Sequence, residues 1–80
     1  MGQKHLVTGK NGNEVTLITG QEYKVEYGGK QRKAVFVALG GNSVSESYCF
    51  RFKRAVKTSW GNAKHTFIHK AETNKIIEQI

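Results

Sequence analysis

The chain has no proline, no aspartate, one cysteine and no long apolar run, and each shortage removes a class of protein. With no proline, no internal repeat and no low-complexity tail, nothing divides it, and residues 1–80 read as a single domain. That length is near the lower limit for a self-sufficient core. The lone Cys49 excludes an intrachain disulfide and points to a reducing compartment. The longest apolar run, Ala34–Leu39, has six residues, where a membrane-spanning helix needs about 20. Residues Met1–Leu6 lack the apolar middle of a secretion signal. Gly2 invites a check for acylation, but Leu6 stands where that signal carries Ser or Thr. A soluble cytoplasmic protein without a membrane partner is the expectation.

Catalysis finds little material here. Without aspartate, acid–base work falls to six Glu residues, and these show no paired arrangement. Cys49 with His65 or His69 is the one nucleophile–base combination, yet a single Cys inside an aromatic strand reads as packing. His65 and His69 are four apart, a metal-ligand spacing on a helix. On the strand that Thr66-Phe67-Ile68 implies, they share a face roughly 13 Å apart, too far for one ion. The glycines fall in turns and form no phosphate-cradling or dinucleotide motif. No enzyme, metal site or cofactor is expected. Binding remains.

What the chain does have is positive charge. Thirteen Lys and Arg face six acids, a net charge of +7 and a pI near 9.8. The excess is concentrated: residues 30–70 hold nine cations and one acid, Glu46. Within that window, Tyr48 to Lys57 is the most informative stretch. Read as a strand, it sends Tyr48, Phe50, Phe52 and Val56 to one face and Arg51, Lys53 and Lys57 to the other. Arg54 falls in phase with the rings, so it must emerge at a rim or be re-aimed by a bulge.

The remaining pattern is strand after short strand. Leu6–Thr8 and Val15–Ile18 flank Asn11-Gly12, a hairpin-turn signal. Glu22–Tyr27 alternates cleanly, with Tyr23, Val25 and Tyr27 inward. Gly28-Gly29 turns the chain into Lys30–Lys33 and then the apolar Ala34–Leu39, which must be covered on both faces or sharply bent. Residues 40–47 form a polar interval rich in turn formers; Ser43-x-x-Glu46 matches a capping box, but no helical pattern follows it. Thr58–Ala63 reads as a loop and Lys64–Lys70 as its return strand. The last ten residues fit either a helix or a strand, with a strand after one helical turn favoured.

The fold class that follows is mostly β: a small five- to six-stranded antiparallel barrel with at most one short helix. From Gly20 to Leu39, a Gly-led strand, a Gly-Gly hairpin and an apolar strand resemble the architecture of SH3-like barrels. An OB-like barrel is the nearest alternative, and a flat sheet with one terminal helix comes next.

Nucleic acid, DNA or RNA, is the partner this charge suggests, bound mainly through phosphates with modest sequence preference. The expected contacts are Lys30, Arg32, Lys33, Arg51, Lys53, Arg54, Lys57, Trp60 and Lys64. Alternate cations on a strand project at intervals of roughly 7 Å, about the spacing of successive phosphates. Trp60, beside Gly61-Asn62, either stacks on a base or folds back as a cap. The alternative is a protein-interaction module, an adaptor or inhibitor, docking its basic face on an acidic protein. Monomer and homodimer are both compatible with the sequence.

Overall fold

The computed structural model describes residues 4–41 and 46–80. The Met1-Gly2 acylation sequence and the Ser43–Ser45 portion of the capping-box match lie outside them. Seven strands follow one another: β1 (Lys4–Thr8), β2 (Glu14–Ile18), β3 (Glu22–Tyr27), β4 (Lys30–Gly41), β5 (Glu46–Thr58), β6 (Gly61–His69) and β7 (Ile76–Gln79). Among the described residues there is no α-helix, only short 3-10 turns. None is long and apolar enough to cross a membrane.

Turn chemistry sets the hairpins. Asn11 (φ 61°) and Gly12 (φ 78°) take the left-handed conformation between β1 and β2, as do Gly28 (φ 59°) and Gly29 (φ 77°) between β3 and β4. Two consecutive positive φ angles match the twist of the flanking strands, which favours a tight return. At the C-terminus the chain makes a 3-10 turn over Lys70–Lys75 and then enters β7. The Nδ1 of His69 accepts the Ala71 N–H at 3.1 Å and so caps that turn.

The expected closed barrel does not form. β1 and β2 make their own two-stranded sheet, while the other five strands order as β6-β5-β4-β3-β7, all antiparallel. The reason is the crossover after β6: it carries the chain to the far side of β3, placing β6 and β7 at opposite edges. Between β6 and the β3–β4 turn a cleft of about 430 Å³ persists, bordered by Tyr27 and Gly28-Gly29 on one side and Thr66–Ile68 on the other.

The core lies between the β1–β2 hairpin and the concave face of the five-stranded sheet. Val7, Val15 and Leu17 from the hairpin meet Tyr23, Val25, Ala34, Phe36, Tyr48, Phe50, Phe52, Ile68 and Ile76. Phe50 packs edge-on to Tyr23 and tilted against Phe36, with ring centroids 6.1 and 5.5 Å apart. Such pairs add about 0.5–1.5 kcal/mol each beyond simple burial. β4 is not covered on both faces: its register on β5 slips between Phe36 and Ala38, leaving Val37 as an extra, exposed residue of the kind a β-bulge creates.

One side chain stitches the two sheets together. The fully buried Tyr23 donates its hydroxyl to the Thr16 carbonyl at 2.6 Å and accepts the Ile18 N–H at 2.7 Å. Tyr23→Phe leaves both backbone groups without that partner, and we expect a loss of about 1–3 kcal/mol in urea unfolding. Burial also raises the Tyr23 phenol above its ordinary value of 10, partly offset by the Ile18 bond. The native state thus holds this proton more tightly than the unfolded chain. Its contribution is complete below pH 10 and is lost as pH rises through the folded value. The stability gap between wild type and Tyr23→Phe should therefore narrow in base. A gap that is absent at neutral pH, or that widens above pH 10, would contradict this stitch.

Candidate functional site

The basic residues take their positions from β5. Tyr48, Phe50 and Phe52 are buried, so Arg51 and Lys53 must face outward. On that outer face Arg51 lies opposite Val35 of β4 and His65 of β6. Lys33 shares the outer face on β4, between the buried Ala34 and the half-buried Arg32.

Alternation then breaks. Between the Arg51–His65 and Val56–Ala63 pairs, four β5 residues (Phe52 to Ala55) face one β6 residue, Lys64. The surplus forms a large bulge in which Lys53, Arg54 and Ala55 are all exposed before Val56 returns to the core. Arg54, in phase with the rings by strict alternation, is turned out to solvent by this bulge. Pairing of β5 with β4 stops at Phe52–Ala34, and the strands splay beyond it.

The splay opens a groove of about 580 Å³. Arg32, Lys33, Lys53 and Arg54 line it, with Phe52 and Val56 beneath and no carboxylate among the lining residues. Arg32 sits opposite Val25 at the end of the core face, and its Nε is buried without a hydrogen-bond partner among the described residues. Lys33 stands directly opposite Lys24, whose ammonium pairs with Glu78 on the other side.

Four ion pairs join described residues: Lys24–Glu78, Lys53–Glu22, Lys70–Glu46 and Lys75–Glu72. Of the expected contact residues only Lys53 takes part, reaching Glu22 across β4 at 3.0 Å. Lys30, Arg32, Lys33, Arg51, Arg54, Lys57 and Lys64 make no ion pair within the described chain. The groove and the adjoining face thus gather Arg32, Lys33, Arg51, Lys53 and Arg54. Lys30 lies apart at the β3–β4 turn, opposite Tyr27. Lys64 faces the bulge from β6, and Lys57 and Trp60 belong to the β5–β6 arm beyond it.

Trp60 does not fold back as a cap; it is 95% exposed at the tip of that arm. The Thr58 hydroxyl accepts the Trp60 N–H at 3.2 Å and donates to the Gly61 carbonyl at 2.8 Å, closing the turn with the indole outside. Phe67, absent from the sequence-based set, is also outside and 67% exposed. Its direction comes from pairing: Tyr48 lies opposite Ile68 and Phe50 opposite Thr66, so burying those rings turns Phe67 away, opposite Cys49. Cys49 is half-buried, and burial pushes its thiol pKa up, away from what an activated nucleophile needs. His65 faces Arg51 and His69 faces Ser47, so neither lies directly opposite Cys49. No group of three or more potential metal-ligating side chains occurs among the described residues.

No protein-family model, curated protein or solved structure matches the chain.

As the sole tryptophan, Trp60 reports its own position. Its emission should already be at the solvent-exposed wavelength in the native protein and shift little on unfolding in urea. Iodide should quench it better than caesium, because Arg54, Lys57 and Lys64 share the arm. A blue-shifted native emission that moves to the red on unfolding would place the ring in the core instead.

Proposed function

We propose that this domain binds nucleic acid, mainly through phosphate contacts and with modest sequence preference. The observation that carries the reading is the acid-free groove between splaying β4 and β5, lined by Arg32, Lys33, Lys53 and Arg54. Arg51 continues the positive surface on the adjoining face. Guanidinium groups grip phosphate oxygens in pairs, while Lys33 and Lys53 act as point charges. A phosphate oxygen in the groove would also give the buried Arg32 Nε an acceptor.

A merely solvated cationic surface fits these features less well. Solubility needs charge, but it does not need cations collected in one groove. The Arg32 donor, without an acceptor among the described residues, weakens the free protein, and a polyanion relieves it. Each neutralised phosphate releases counterions, so the free energy of binding comes largely from salt entropy and falls steeply as salt rises.

The test is oligonucleotide binding by fluorescence anisotropy between about 50 and 200 mM salt. For five to seven neutralised phosphates on a duplex, log affinity against log salt should slope at roughly −4.5 to −6. A flat response discards the proposal, and retention of one stoichiometric acidic protein after nuclease treatment would point to a protein partner instead. Arg51→Ala and Arg54→Ala should each reduce the slope by about 1. Glu22→Gln has the opposite effect: releasing Lys53 from its carboxylate should tighten binding and steepen the slope. An unchanged or weakened affinity for Glu22→Gln would show that Lys53 lies outside the contact.

A further inference from the structure

We infer that the nucleic acid is single-stranded and lies across the outer face of β5 and β6, with Phe67 stacking on an unpaired base. This rests on the nucleic-acid reading above and goes beyond it by naming the form of the ligand.

The first observation is an inversion of what stability alone would select. On β6 the buried position opposite Phe50 is held by Thr66, while the adjacent Phe67 is 67% exposed. The small, polar threonine thus takes the buried position and a ring with no polar atom is placed in water. Conflicts of this kind between local chemistry and burial concentrate where a surface has a task.

The second observation is the setting of the ring. Phe67 faces Cys49, and one step along the same face Arg51 is paired with His65. Val35 and the exposed Val37 continue the apolar strip onto β4, and Lys33 and Lys53 border it. An aromatic ring beside Arg51 on an exposed sheet face, with Lys53 and its partner Glu22 farther along that face, offers what a single strand presents: a free π-face and, one nucleotide away, a phosphate. A duplex hides its base faces in the stack and has no use for such a ring. Trp60 supplies a second exposed ring seven residues earlier, roughly 23 Å along an extended strand at about 3.3 Å per residue. That separation suits a site several nucleotides long.

The deciding experiment measures anisotropy with a labelled single strand of about 16 nucleotides, alone and annealed to its complement, at matched salt. The single strand should bind more tightly than the duplex. Phe67→Ala should weaken single-strand binding by about 5- to 150-fold and leave duplex binding unchanged. Phe67→Trp should preserve binding, whereas Phe67→Leu, apolar but without a π-face, should lose it. Because Phe67 lies outside the core, thermal melting should find all three variants folded. Tight duplex binding indifferent to Phe67, or full single-strand affinity in Phe67→Leu, overturns this inference while the phosphate-binding reading stands. Binding to neither form overturns both.

Discussion

Phe50, wedged between Phe36 and Tyr23, is the contact on which the rest of the structure depends. With Tyr48 and Phe52 it fixes one face of β5 in the core, and truncating any such ring costs about 3–5 kcal/mol. A slip of one residue would bring Arg51 and Lys53 inside, so the register is strongly specified. The same burial acts outward through pairing. It sets Ala34 and Phe36 inward on β4, leaving Lys33 outside, and it sets Thr66 and Ile68 inward on β6, leaving Phe67 outside. The cationic face and the exposed ring are thus consequences of aromatic packing on the other side of the sheet.

Charge contributes little to holding this fold together. The four ion pairs are solvent-accessible, where water and salt screen most of their attraction. Three of them lie away from the β5 bulge, at β7, the last 3-10 turn and the start of β5. Around the groove, by contrast, cations stand without carboxylates, apart from Lys53 with Glu22. Backbone irregularity creates that groove. The bulge from Phe52 to Ala55 ends pairing with β4 and exposes three residues in succession, giving more surface charge than a regular strand could present. The core supplies rigidity, and the bulge supplies the recess.

Much of the local structure could be read from the sequence because local rules govern it. Asn11-Gly12 and Gly28-Gly29 announce their turns, since few residues other than glycine and asparagine accept positive φ. The alternation of β3, and of β5 as far as Phe52, matches their burial, and the C-terminal turn followed by a strand lies where the isoleucines suggested. Non-local pairing was not legible. Whether the sheet closes depends on where the chain goes after β6, and no window of sequence contains that information. The direction of Phe67 depends on its partners in β5, because its own neighbourhood, Thr66-Phe67-Ile68, would favour burying the larger ring. Arg51, Lys53 and Arg54 were identifiable as surface cations; their convergence with Arg32 and Lys33 required the strands to splay.

Backbone-amide NMR, titrating a short single-stranded oligonucleotide at low salt, tests the central claim most directly. Shift changes are expected at Arg32 and Lys33, at Arg51 through Ala55, and at Trp60, His65 and Phe67, with the β1–β2 hairpin unmoved. Changes centred on that hairpin, or a spectrum indifferent to saturating oligonucleotide, would contradict it.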